Sequence, residues 1–272
     1  MEYEIKPKLK FNLGLKELWL YRELFYFFTW RDIKVKYKQT VLGFLWAFLQ
    51  PLFLTIIFST FLGETISQKT DLSIPYPVFA LSGMMLWGIF SGGLTNAANS
   101  MVANAGIIKK IYFPRLIIPI SSILVALVDF FIASIVFLIV LIFYKVQINY
   151  SAILLLPLSI MITCLSSIGI GTLLAALNIK YRDVRHAIPF LTQGLLFLTP
   201  VLYPTNMSPN HTVQFILKLN PMSGALELMR GIFTNYSIDS TTVLYSLFSS
   251  IILFVTGMFY FRKTEGYFAD LV

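Results

Sequence analysis

Six apolar runs, each about the length of a bilayer crossing, leave this chain few folds to choose from. They cover roughly residues 41–62, 76–94, 116–144, 150–178, 187–204 and 243–261. A spanning helix needs about 20 apolar residues, because the hydrocarbon core is about 30 Å thick and each residue rises ~1.5 Å. The runs are continuous rather than alternating, which predicts helices and not barrel strands. Charged residues make up only 12% of the 272, against about 25% in a soluble domain. Too little polar side chain remains to cover a globular surface. The expected fold is an all-α integral membrane protein with six transmembrane helices in one domain, residues 1–272. The third and fourth runs are long enough to tilt or to project beyond the bilayer.

Charge placement sets an expected orientation. With the N-terminus inside, residues 1–40, 95–115, 179–186 and 262–272 hold 17 of the 21 Lys and Arg residues. Cations accumulate on the cytoplasmic side of spanning helices, so both termini are expected in the cytoplasm. The net charge of +8 then sits mostly on the cytoplasmic face, where it suits anionic headgroups or an acidic partner rather than nucleic acid. The first 24 residues carry charges where a signal peptide has its apolar stretch. A lone Cys164 excludes an internal disulfide.

Between the second and third spans lies "NAANSMVANAGIIKKIYFPR", residues 96–115, a polar interlude. Asn96, Ser100 and Asn104 recur every four residues, one stripe on a helix. Lys109 and Lys110 suit its last turn, and Pro114 stops it. Such a helix is either a solvated loop or a docking element for a cytoplasmic partner. Before the first span, "RDIKVKYKQT" (31–40) alternates basic and apolar residues. It reads as a membrane anchor whose lysines snorkel to headgroups, or as a basic ring that receives an anionic substrate. Residues 13–30, rich in aromatics but with four charges, fit an interfacial helix. Asp129 is the one carboxylate well inside a predicted span. A charge there costs about 2.5–3.5 kcal/mol on insertion scales, so it must be paired, neutral or facing water.

Five segments in order resemble one family: "KYKQTVLGFLWAFLQPLF" (36–53), "NAGIIKKIYFPRLIIPISS" (104–122), "NIKYRDVRHAIPFLTQ" (178–193), "LTPVLYP" (198–204) and "NPMSGALELMRG" (220–231). They are similar to the permease subunits of polysaccharide ABC exporters, which move O-antigen, capsular polysaccharide or teichoic acid. The resemblance implies a homodimer of six-span subunits in the bacterial plasma membrane, paired with two ATP-binding subunits that carry ATP and Mg. It implies a coupling helix at Asn96–Tyr112, with Lys109, Lys110 and Tyr112 at its end, that rests in a cleft of the ATPase. Arg182 and Asp183 would make a second contact. Arg31, Lys34, Lys36, Tyr37, Lys38 and Gln39 would gate the cytoplasmic entrance. No G-x-x-x-x-G-K-[ST] occurs, so this chain is expected to bind no cofactor itself.

A polysaccharide channel suits aromatic faces, which stack on rings without regard to sequence. Trp46, Trp87, Phe90, Phe197 and Tyr203 are the candidate lining, each equally explicable as a lipid-facing or interfacial ring. Beyond the fifth span, two short apolar stretches, 213–219 and 222–233, meet at Asn220-Pro221. A re-entrant pair narrowing the exit fits their lengths and the resemblance, and Glu227 and Arg230, three apart, are placed to pair. A plain external loop is the alternative. The competing functions are an ion-coupled flippase of lipid-linked glycans, for which Asp129 is thin support, and a membrane-embedded glycosyl- or phosphotransferase. Against an enzyme or a metal site stand the absence of HExxH and G-x-S-x-G motifs and of an Asp pair for metal chemistry. His186 and His211 also fall on opposite expected faces. Asn149, Asn206, Asn210 and Asn235 each begin an N-x-[ST] pattern.

Overall fold

A computed structural model describes residues 15–268 apart from 39, 41, 71, 208–209 and 234–235. Gln39, Asn235, the first two residues of the expected interfacial helix and the last four of the expected tail therefore lie outside the described residues. The chain folds into α1 Leu15–Leu20, α2 Arg22–Lys38, α3 Trp46–Lys69, α4 Tyr76–Ala103, α5 Ala105–Ile108 and α6 Ile117–Phe143. After these come α7 Leu155–Lys180, α8 Val184–Leu198, α9 His211–Leu219, α10 Pro221–Arg230 and α11 Ser240–Thr264. Among the described residues the only β pairing is an isolated bridge between Ile148 and Phe233.

Five stretches are long and apolar enough to cross a membrane: Gly43–Lys69, Tyr76–Ala103, Ile117–Phe143, Tyr150–Lys180 and Ser240–Tyr267. They correspond to the first four and the sixth of the expected spans. The fifth differs. Instead of running through 187–204, α8 stops at Leu198 after 15 residues, about 22 Å of helix. Pro200 explains the stop, because a residue before proline avoids the helical region, and Thr199 is indeed extended at φ −107°, ψ 135°.

Other boundaries moved for local reasons. The second span does not end near residue 94. Asn99 and Ser100 hydrogen-bond back to the Thr95 and Ala97 carbonyls at 2.9 and 2.6 Å, so the polar interlude prolongs α4 to Ala103. The expected single helix 96–112 breaks at Asn104, whose side-chain amide donates to the Ser100 carbonyl at 2.7 Å. Only the single turn of α5 follows. At the other end of the chain, the expected division at residue 30 disappears: the interfacial and basic segments share one helix, α2, after a turn at Tyr21. Gly43 has a φ of 48°, a left-handed conformation natural to glycine, and this reversal delays the start of α3.

The helix α4 is the hub. Of its most apolar window 78% is buried, against 6% for α3. Its larger core, with Phe79, Leu86, Trp87 and Phe90, takes in α7, α8 and α10. A second core joins Leu18 and Phe28 to Ile108, Phe113, Ile117, Ile179 and Phe261. This second core gathers α1, α2 and α5, the start of α6 and the ends of α7 and α11 at one end of the bundle, where Lys109, Lys110, Arg182, Arg185 and Arg262 also lie. We call this the basic end. The backbones of α7 and α11 touch at Gly169 and Gly257, where a Cβ on Gly257 would collide with the Gly169 carbonyl. Such close approach between small residues is the usual way helices associate in lipid.

Candidate functional site

Polar residues on otherwise apolar helices are expected to face one another or a cavity, and here they face a cavity of about 570 Å³ between α3, α4, α6 and α8. Gln50, Ser91, Thr95, Asn96, Thr192 and Gln193 supply hydrogen-bonding groups to its wall, and Trp46 and Trp87 supply aromatic faces. Two of the five candidate aromatics therefore meet. Phe90 lies in the core against Trp87, ring centroids 5.3 Å apart, and is 2% exposed. Phe197 is exposed at the end of α8, and Tyr203 donates its hydroxyl to the Phe197 carbonyl at 2.7 Å. Apart from Asn96, the amides and hydroxyls on the cavity wall had no signal in the sequence beyond being polar within apolar runs.

A second cavity, about 810 Å³, opens at the basic end between α2 and the α4–α6 hairpin. Arg31, Asp32 and Lys36 line one side, with Asn96, Asn99, Ser100, Asn104 and Lys110 opposite. Lys36, Thr95 and Asn96 belong to both cavities. At this seam the carboxylate of Asp129 is taken up: Lys36 Nζ and the Tyr37 hydroxyl donate to its two oxygens. Of the three states the sequence allowed for Asp129, paired is the one observed. Burial, then the adjoining Asp129, raises the Tyr37 phenol well above its ordinary pKa. Arg31 bonds Asp32 at 2.6 Å and lies over Phe28, and Lys34 lies over Trp30. Lys38 is exposed beside a smaller groove with Phe27 and Trp30.

The segment after α4 presents its tip outward. Lys109 and Lys110 are exposed, as are Ile111 and Tyr112 at 63% and 74%. Of the expected stripe, Asn96 is exposed but Ser100 and Asn104 are buried, both spent on helix carbonyls. Arg182 and Asp183 are exposed on the α7–α8 turn. A cleft of about 460 Å³ joins this turn to the end of α4 and the start of α5, lined by Val102, Ala105, Asn178, Arg182, Arg185 and His186. Asn178 pins the two parts by donating to the Ala98 carbonyl at 2.8 Å. The two expected contact regions thus form one face. Arg185 and Ile111 were not singled out from the sequence.

At the opposite end, α9 and α10 meet at Asn220, as the apolar stretches suggested. Asn220 caps α10 by accepting from Met222 N at 2.9 Å, and its amide donates to Leu198 O and Thr199 Oγ1. Pro221 occupies the first helical position, where its missing N–H is harmless. The anticipated Glu227–Arg230 pair is a correction: among the described residues no such ion pair forms. Glu227, 6% exposed, accepts from Thr205 Oγ1 at 2.9 Å and from the Tyr236 hydroxyl at 3.1 Å. Arg230, 1% exposed, turns the other way. It donates to Val201 O at 2.6 Å and Pro200 O at 3.1 Å, with its guanidinium 3.5 Å from the Phe79 ring centroid. Residues three apart on a helix share a face, but the break after α8 offered Arg230 carbonyls that a helix would have used internally. Nearby, burial pushes Asp239 up, yet bonds from Lys218, Thr241 and Thr242 outweigh it and hold the carboxyl well below the usual range.

His186 sits in the basic-end cleft and His211 starts α9 at the opposite end. Among the described residues no three His, Cys, Asp or Glu side chains gather to hold a metal ion. What the site offers is a path: a wide basic mouth, a charged seam, and a cavity of amides, hydroxyls and indoles. Known proteins resemble the chain over nearly its whole length. The O-antigen export system permease protein RfbA of Klebsiella pneumoniae is 30% identical over 266 residues, spanning 97% of this chain and 99% of its own. The protein of the same name from Myxococcus xanthus is 26% identical over 95% of this chain and 98% of its own. The polysialic acid transport protein KpsM of Escherichia coli is 26% identical over 86% and 91%. The family model described as ABC-2 type transporter matches residues 23–234, from α2 to beyond α10, and the chain belongs to that family.

Proposed function

We propose that this chain is the membrane-spanning subunit of an ATP-driven exporter that carries a lipid-linked polysaccharide from the cytoplasm across the plasma membrane. A second copy and two ATP-binding subunits complete it, with ATP and Mg held by the latter. The observation that carries this reading is the near-full-length similarity to O-antigen permeases, together with a polar cavity in the membrane-spanning part. The basic end is cytoplasmic, as its share of Lys and Arg argues. There the exposed tip Lys109–Tyr112, with Arg182 and Asp183, meets the ATPase, and Arg31, Lys34, Lys36, Tyr37 and Lys38 receive the substrate.

The helix α8 serves as a fifth, interrupted span whose non-helical end is buried in protein, a setting in which such backbone is tolerated at membrane depth. The α9–α10 pair re-enters from outside and narrows the exit. Support for a second copy is the barely buried α3, which walls the central cavity from one side only. An ion-coupled carrier would need a free intramembrane carboxylate, and Asp129 is engaged. Purification of the tagged chain from its native membrane tests the reading: an ATP-binding subunit should accompany it in equal amount, and ATP turnover should vanish when that subunit is removed. A pure homo-oligomer, in mild detergents too, would overturn it.

A further inference from the structure

The seam between the two cavities has a property that neither cavity has alone. Asp129 lies twelve residues into α6, about 18 Å along it, yet its partners come from the end of α2. Nearer its start, α2 is held to the segment leading into α6 by the Phe28–Phe113 ring contact, centroids 5.6 Å apart, and to α6 by a long Thr29–Ser121 bond of 3.4 Å. Beyond Thr29, Lys36 and Tyr37 provide the side-chain hydrogen bonds from α2 to another helix among the described residues. Val35 between them is 73% exposed. The side-chain hydrogen bonds at the end of α2 therefore converge on one carboxylate.

The basic mouth and the central cavity meet at Lys36, Thr95 and Asn96, which line both, and Lys36 is the charged one of the three. An ammonium has three donors and no acceptor, and it binds carboxylate and phosphate oxygens alike. We propose that Asp129 is a built-in stand-in for an oxyanion carried by the substrate. In the resting state it holds Lys36 and so latches α2 to α6. A phosphate or carboxylate group arriving at the seam takes over Lys36, Asp129 is hydrated by the cavity it already lines, and the end of α2 is released. A neutral hydroxyl cannot displace a carboxylate from an ammonium, so uncharged sugar units pass without tripping the latch. This inference rests on the export reading above and names the chemical group that would open the way.

The test is a distance. In the full complex in nanodiscs, with Cys164 replaced by alanine, spin labels at Val35 on α2 and Ile135 on α6 report the latch. Three additions separate the sources of charge: a long-chain polyprenyl diphosphate, the uncharged polyprenol, and a soluble oligogalacturonate. The expected result is a shift to a longer distance with the diphosphate, the galacturonate or both, and none with polyprenol. A diphosphate response assigns the oxyanion to the lipid carrier, and a galacturonate response to the polymer. Asp129→Asn should show the long distance without additions. Lys36→Gln breaks the same ion pair and should likewise show the long distance without additions, and Lys36→Arg should restore both the short distance and the anion response.

The exchanged pair Lys36→Asp with Asp129→Lys restores an ammonium–carboxylate contact at the seam and should recover the short distance. No response of the unaltered seam to both anions, or a short distance kept in both Asp129→Asn and Lys36→Gln, overturns the proposal and leaves a structural clamp. Failure of the export reading would show separately, as absence of an ATP-binding partner, and would not alter these distances.

Discussion

Replacing Arg230 by methionine should loosen the end of α8 more than any other single side-chain change there. The guanidinium gives two well-placed bonds to the Pro200 and Val201 carbonyls and covers the Phe79 ring. Hydrogen bonds to charged groups contribute about 1.5–3 kcal/mol each, and a desolvated cation–π contact about 2 kcal/mol. Against that gross figure stands the desolvation of a fully buried cation, several kcal/mol. Methionine fills the volume and removes the charge but leaves two buried carbonyls without donors, at about 1–3 kcal/mol each. A net loss of about 3 kcal/mol follows, and at ~2–4 °C per kcal/mol for a chain of this size the melting temperature should fall by about 6–12 °C. Thermal unfolding in nanodiscs measures it, and amide exchange over residues 199–204 localises it. Arg230→Lys should lose roughly half as much, because one ammonium keeps the charge but cannot bond both carbonyls and stack. A methionine variant that melts with the wild type and protects 199–204 equally would refute the reasoning.

Three further outcomes are expected. Ile111→Asp, at the exposed tip, should leave the subunit folded while ATP hydrolysis in the complex no longer drives export; parallel ATPase and export assays check this, and normal export would remove the tip from the coupling. Gly257→Leu should force α7 and α11 apart at Gly169 and abolish stable insertion, read by detergent-resistant folded yield, whereas Gly266→Leu, which meets open space, should be tolerated. Asp239→Asn should keep the α11 cap, since Asn caps as well as Asp, but lose the Lys218 ion pair, at about 0.2–1 kcal/mol for a partly exposed pair. Because the folded-state pKa of Asp239 is depressed, its stabilisation is complete above about pH 4, the ordinary carboxylate value, and fades as pH falls below that. The gap between wild type and variant should therefore be constant from neutral pH downward and close only in acid.

What the sequence disclosed, and what it withheld, follow from the range of the interactions involved. Spans three, four and six were legible because continuous apolar runs need only local pattern. The stop of α8 was local too: Pro200 is visible in the sequence, but the apolar run 198–203 continues through it and masks the break. The prolongation of α4 depended on Asn99 and Ser100 bonding their own helix, which inverts their usual preference for caps and turns. The same effect made the stripe of Asn96, Ser100 and Asn104 a poor guide to a docking surface, since Ser100 and Asn104 are spent on carbonyls of their own helix. Glu227 and Arg230 were picked out as functional-looking residues, but their partners, Thr205, Tyr236, Pro200 and Val201, come from segments whose placement only the fold decides. The pairing of Lys36 with Asp129 joins positions 93 residues apart, beyond any periodicity. Its one trace in the sequence was the rule that a carboxylate inside a span requires a partner.

The most direct test of the central claim is transport itself. Inside-out vesicles containing this chain and its ATP-binding partner, loaded on their cytoplasmic face with the host's own lipid-linked polysaccharide, should move that polymer into the lumen when ATP is added. Movement should stop when ATP is withheld and when the partner's nucleotide site is disabled. Polymer that crosses equally without ATP, or that fails to cross while the complex hydrolyses ATP normally, would contradict an ATP-driven polysaccharide exporter.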